Sequence, residues 1–292
     1  MKLQTDSSQP LVQSVLHPTD FSAASNRAFA HALAIALLRQ TELTILHVGP
    51  ESESEIKWSR FPPVRKTLER WGLLDAGSEQ SDVFKALQVR VRKLAIKSRN
   101  PGNAIAQYSE TNPSDLTVLA TEGRQGVARW LERSDAESMA QSTNSMTLFV
   151  PESVERGIVS LEDGDIQLNK VLVPVDRQPD PGAALEFARR AADVLGDGDT
   201  EILLLHVGDE PPGVEHLPEG DRWTWRRLSA KGEPADEIIR AAEREKADLI
   251  IMATAGHDGI LDALRGSTTD KVLRRSPCPL LAVPINRLSA GI

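Results

Sequence analysis

The residues best able to do chemistry lie in a glycine-bearing stretch toward the C-terminus. It runs Ala253, Thr254, Ala255, Gly256, His257, Asp258 and Gly259, and after six further residues Gly266, Ser267, Thr268, Thr269 and Asp270. Glycines let a ligand approach the backbone closely. Ser267 and Thr268 put hydroxyls at the start of a helical pattern, where free N–H groups and the helix dipole favour a phosphate. The same residues also read as an ordinary N-cap at Ser267, with Asp270 closing a capping box. Asp258 and Asp262 add negative charge beside a polyphosphate, which a divalent cation such as Mg²⁺ would offset. His257 is the candidate in this loop for direct ligand contact. Upstream, Asp176 follows a short apolar run and is suited to accept a hydrogen bond from an amino group on a base, or else to cap the next helix. Asp20 holds the same place in the N-terminal half.

Other chemistry-bearing residues have plainer readings. His47 and His206 end apolar runs but have no carboxylate or cysteine neighbours in sequence, so packing at a strand end is expected rather than a metal pair. Cys278 sits between Pro277 and Pro279, ahead of an apolar run, and is expected to be a buried thiol. As the single cysteine it forms no internal disulfide. Residues 84–99 hold Lys85, Arg90, Arg92, Lys93, Lys97 and Arg99 without an acid. That pattern suits the solvated face of an edge strand, with an anionic partner as the alternative.

The elements that would position these residues come in two copies. Leu46-His47-Val48-Gly49 recurs as Leu205-His206-Val207-Gly208, a shift of 159. Downstream the shift is 133: Asp115 meets Asp248, Thr121 meets Thr254, Gly123 meets Gly256, Ser134 meets Ser267, and Val150-Pro151 meets Val283-Pro284. The first copy therefore carries 26 extra residues between positions 50 and 98. This insert starts acidic and then holds Trp58, Phe61, Leu68, Trp71 and Leu73, enough for one extra helix with an apolar face. The expected organisation is one domain at 10–152 with an insert at 51–82, a linker or small hairpin at 153–167, and a second domain at 168–288. Within each copy, short apolar runs alternate with helical patterns. That order gives a parallel sheet, buried on both sides, with helices on both faces. In open sheets of this kind ligands sit beyond the carboxyl ends of the strands, where the strand order reverses. The rule selects Asp176, the residues after 202–207, and the glycine loop.

Composition bounds the rest. A chain of 292 residues with 40% hydrophobic and 26% charged residues is long enough for two globular domains. Its net charge of −8 argues against a general nucleic-acid binder. The longest apolar run, residues 28–38, is half the length of a membrane span, and no apolar segment follows Lys2, so no membrane role and a cytoplasmic setting are expected.

Taken together, these motifs resemble the universal stress protein family, in a tandem form. The resemblance rests on residues 171–176, on Leu205-His206-Val207, and on Gly232-Glu233-Pro234-Ala235. It continues through residues 248–252, the glycine loop and residues 276–284. The family implies a five-stranded, doubly wound domain of the adenine nucleotide alpha-hydrolase type that dimerises through its last strand. A tandem chain can then pair residues 146–150 with residues 280–283, giving a pseudo-twofold monomer that is able to associate further as a homodimer. ATP-binding members use an Asp after strand one, backbone after strand two, and a Gly-x-x-Gly-x9-Gly-Ser/Thr loop. Carried onto this chain, the site falls on Pro174, Val175, Asp176, Val207, Ala253, Gly256, His257, Gly259, Gly266, Ser267 and Thr268, with Ala253 in place of the first glycine. The first copy departs further, with Ala120 and Arg133 at glycine positions and Asp135 beside them, and reads as a degenerate site. No Gly-Lys-Ser/Thr P-loop is present, so the expectation is ATP binding, with Mg²⁺, and slow or no hydrolysis. Two alternatives stand beside it. One is an interaction protein in which both loops are structural. The other is an adenylating ligase, for which the paired His and Lys-rich signatures are lacking.

Overall fold

The computed structural model describes residues 12–52, 54–121, 145–152, 157–196, 198–212, 217, 220–254 and 268–285. The first half contributes strands β1 (Ser14–Thr19), β2 (Glu42–Gly49), β3 (Arg90–Lys97), β4 (Leu116–Thr121) and β5 (Met146–Pro151). Between them lie helices α1 (Ala23–Arg39), α2 (Val64–Arg70), α3 (Gln80–Leu87) and α4 (Pro101–Thr111). The second half contributes β6 (Lys170–Pro174), α5 (Gly182–Leu195), β7 (Thr200–Val207), β8 (Trp223–Ala230), α6 (Pro234–Glu245), β9 (Leu249–Thr254), α7 (Thr268–Leu273) and β10 (Leu280–Pro284).

All ten strands form one sheet in the order β3-β2-β1-β4-β5-β10-β9-β6-β7-β8. Each half is a five-stranded parallel sheet. The halves join where β5 and β10 pair antiparallel, with Leu280 opposite Phe149, Leu281 opposite Leu148 and Ala282 opposite Thr147. The order reads the same from either end, so the antiparallel pair lies on a pseudo-twofold axis within one chain.

Alternation along the strands separates two apolar faces. Val171 and Val173 join a cluster that spans both halves and includes α1 and α5, while Leu172 joins the cluster under α6 and α7 on the opposite face. In the first half α4 covers that opposite face through Ile105, packed with Leu16 and Leu46. Phe149 belongs to the first half by sequence, yet it is fully buried within the cluster that α6 and α7 complete.

The helix ends follow from local chemistry. Ser22 caps α1 by accepting from the Ser25 N–H at 3.2 Å. In α6, Pro234 takes the first position, where its missing N–H is no loss, and Glu233 accepts from the Ala235 and Asp236 N–H groups. Asp115 and Asp248 act alike at the sheet's other end. Asp115 Oδ2 accepts from the Gln13 and Ser14 N–H groups, and Asp248 Oδ2 from those of Asn169 and Lys170. Each aspartate so ties the start of the fourth strand of its half to the start of the first.

The insert differs from the expected single helix. It forms a 3-10 turn (Trp58–Arg60) and two short helices, α2 and α3. Gly72 and Gly77 between them stand at φ +67° and +84°, a left-handed backbone that a continuous helix does not contain. Trp71 anchors the insert to the chain joining the halves. Its Nε1–H donates to the Leu161 carbonyl, and its ring lies against Gly164, where a Cβ would come within 2.5 Å of it. Val159 and Ile166 form an antiparallel bridge there, closed by a turn through Gly164 at φ +75°. The basic strand β3 lies at the edge of the sheet, with Arg92 paired to Glu42 at 3.2 Å.

Candidate functional site

The strand order reverses between β6 and β9, and again between β1 and β4. Each pair is hydrogen-bonded only near its amino ends: Val171 and Leu172 oppose Leu249 and Ile250, and Val15 and Leu16 oppose Leu116 and Thr117. Toward the carboxyl ends the strands leave register and open a crevice. By contrast, β9 and β10 stay paired through Thr254 and Pro284. Pro174 and Pro18 stay in register with β7 and β2 but lie past the last rungs to β9 and β4, where a missing N–H costs no ladder bond.

In the second half this crevice collects the sequence-derived residues. Pro174 is half-buried, Val175 is buried with its N–H donating to the Leu205 carbonyl, and Asp176 is exposed just beyond. Asp176 does not cap a helix. Its Oδ1 accepts from the Arg177 N–H at 2.7 Å, and α5 begins only at Gly182. Pro179 and Pro181 hold the intervening backbone out of helical geometry, and Asp180 accepts from the Gly182 N–H instead. Across the crevice Ala253 is buried, and next to it the Thr254 hydroxyl is buried with no hydrogen-bond partner among the described residues. Leaving such a hydroxyl unmatched costs roughly 1–3 kcal/mol. Thr254, the last residue of β9, stands in the glycine-bearing stretch but was not among the residues carried to the site. Val207 and Thr268 are half-buried at the ends of their elements. Gly256, His257, Gly259, Gly266 and Ser267 lie outside the described residues, as do Arg133 and Asp135.

The repeated Leu-His-Val-Gly motif has a definite role. His206 Nδ1 donates to the Val175 carbonyl at 3.2 Å, and His47 Nδ1 to the Thr19 carbonyl at 2.8 Å. Each ring thus fastens the residue before Asp176 or Asp20 to the neighbouring strand. The glycine two positions on makes room for the ring. A Cβ on Gly208 would lie 2.9 Å from His206 Nε2, and one on Gly49 would lie 2.8 Å from His47 Nε2. This is the strand-end packing expected of both histidines. Among the described residues no group of three His, Cys, Asp or Glu side chains could hold a metal ion.

The first half uses the same corner differently. Phe21, at φ +66°, stacks on the His47 ring with centroids 4.0 Å apart. Phe61 from the insert meets Phe21 edge-on at 5.2 Å, and Trp58 stacks on Phe61 at 5.1 Å. The Arg60 guanidinium lies 4.6 Å from the centre of the Phe21 ring. Rings of the chain itself therefore fill the mouth beside Asp20. In the second half Arg177 stands in place of Phe21 and ion-pairs with Glu210 in solvent.

A family model described as the universal stress protein family matches residues 12–151 and 224–284. The chain belongs to the universal stress protein family. A universal stress protein of Methanocaldococcus jannaschii is 28% identical over 152 residues, covering 42% of this chain and 86% of the relative. One from Methanothermobacter thermautotrophicus is 38% identical over 123 residues, 32% of this chain and 84% of the relative. A universal stress protein of Mycobacterium bovis is 23% identical over 298 residues and aligns along both halves, covering 90% of this chain and 94% of its own. Among solved structures, a universal stress protein from Archaeoglobus fulgidus superposes with a TM-score of 0.59 at 18% identity, covering 94% of this chain and 98% of that one. The α/β architecture of this universal stress protein is thus shared along most of its length. No helix among the described residues is long and apolar enough to cross a membrane.

Proposed function

We propose that this universal stress protein is a stress-response protein that binds one adenine nucleotide, ATP or a relative, in its C-terminal half, with slow or no hydrolysis. The observation that carries the reading is the crevice between β6 and β9. An exposed Asp176 stands on one side and, on the other, the buried Thr254 hydroxyl, which has no partner among the described residues. Asp176 would accept from the amino group of the base. Val175 and Val207 would offer backbone and apolar contact, and the Thr254 hydroxyl would gain a hydrogen-bond partner. The phosphates would fall on the loop through Gly256, Gly266, Ser267 and Thr268, with Mg²⁺ offsetting Asp258 and Asp262.

The N-terminal half is the structural partner. Phe21, His47 and Phe61 occupy the corner where a base would lie. Calorimetric titration with ATP and Mg²⁺ tests the reading, which expects one site per chain. A folded protein giving no heat at high concentration favours the alternative, an interaction protein in which both crevices are structural.

A further inference from the structure

A second cavity lies far from this crevice, over the junction of the two halves. It is a half-open hollow of about 130 Å³, so a long chain can lie along it and run out at its mouth. Four leucines from the sheet line it: Leu116, Leu148, Leu249 and Leu281. Leu116 and Leu249 open β4 and β9, so the cavity lies toward the amino ends of the strands, roughly 16 Å along β9 from Thr254. Phe187 and Val194 of α5 form one wall and the last turn of α1 the other.

Three arginines line it, and they are not equivalent. Arg189 is held by Glu186 at 2.8 Å and Asp193 at 2.9 Å, and Arg190 by Glu186 at 2.5 Å. Arg39, ending α1, has no such carboxylate among the described residues. Its Nε is buried and lacks a hydrogen-bond partner among the described residues. A cation at that place complements the helix's terminal carbonyls, but this leaves a buried N–H donor beside an apolar cavity unmatched. A half-open, mostly apolar hollow with a cationic donor unmatched among the described residues complements a molecule with an apolar body and one acidic group.

We propose that this cavity is a binding site for a small monocarboxylate with an apolar chain. The carboxylate would meet Arg39, and the chain would lie over the leucines of β4, β5, β9 and β10. The ligand would contact α1 and α5 together and so brace the two halves across the β5–β10 junction. Nothing in this proposal depends on the nucleotide crevice.

Decanoate, kept below its micelle concentration and titrated calorimetrically into the full chain, is the direct probe. The expected result is saturable binding of one decanoate per chain, with decanol at least tenfold weaker. Arg39→Gln should weaken decanoate by about ten- to a hundredfold, the usual worth of a charge-assisted hydrogen bond. Ala191→Leu, which extends a cavity-lining residue of α5 into the space, should weaken decanoate and decanol alike. Circular dichroism melts confirm that both variants fold. Equal affinity for decanoate and decanol in the unaltered chain overturns the proposal without any variant. So does undiminished binding by folded Arg39→Gln, non-saturable uptake of several decanoates, or association with phosphatidylglycerol vesicles and not with monomeric decanoate.

Discussion

His206 holds Val175: its Nδ1–H reaches the Val175 carbonyl at 3.2 Å, one residue before Asp176. The imidazole adds a side-chain staple to the backbone bond from the Val175 N–H to the Leu205 carbonyl. The same bond, His47 to Thr19, is built where the crevice is filled. The staple therefore belongs to the architecture of the strand ends, and the exposed aspartate uses what it positions.

Replacing Gly208 with alanine should break that arrangement. Gly208 stands at φ +151°, and a Cβ would press within 2.9 Å of His206 Nε2. The expected loss is about 1–3 kcal/mol of stability, with weaker ATP binding. Urea unfolding and ATP titration of Gly208→Ala measure both.

The junction should make the halves unfold as one unit. Phe149, contributed by β5, is fully buried in the core under α6 and α7. Phe149→Ala should cost about 3–5 kcal/mol, and the unaltered chain should show a single transition by tryptophan fluorescence and by circular dichroism. Two separated transitions in the unaltered chain would contradict the shared core.

Acid should weaken the fold through two buried histidines. Burial pushes His17 down to about 4, against a hydrogen bond to the Val118 carbonyl and the nearby Asp20 charge, which favour the proton. Burial likewise pushes His31 down to about 4. Both are depressed below the ordinary 6.5, so the unfolded chain binds more protons between those values. Their contribution is full above about pH 6.5 and is lost as pH falls toward 4, about 3 kcal/mol for each group. His31 Nε2 has no hydrogen-bond partner among the described residues, so His31→Leu should flatten the slope without large loss at neutral pH. Denaturant midpoints at pH 7, 5.5 and 4.5 check this.

Cys278 should be inert while the chain is folded. Burial is the main cause that pushes its thiol up to about 12, with Asp248 adding to it. Alkylation by iodoacetamide at pH 8 should be slower by about a hundredfold or more in the native protein than in urea. Equal rates would place the thiol at the surface.

Much of the fold was legible because the repeat repeats its physics. The two Leu-His-Val-Gly motifs mark identical strand ends, and the apolar runs ending at Pro151 and Pro284 become the paired last strands. The rule that open sheets bind ligands beyond the carboxyl ends of their strands also led to Asp176 and the crevice. The aromatic filling of the first half was not legible, since it depends on Phe21 adopting φ +66° and on the insert bringing Phe61 back over the sheet. The helix-capping role weighed for Asp176 fails because two prolines delay α5. Thr254 was not legible because an orphaned hydroxyl shows only once its surroundings are known.

The central claim is that one half is open to an adenine nucleotide and its twin is closed by its own rings. Calorimetric titration of ATP and Mg²⁺ into the unaltered chain, Asp176→Ala and Asp20→Ala tests it most directly. The expected result is one site per chain, weakened about tenfold or more by Asp176→Ala, in line with loss of a hydrogen bond to a charged group, and unchanged by Asp20→Ala. No binding, two equal sites, or equal losses from the two substitutions would contradict it.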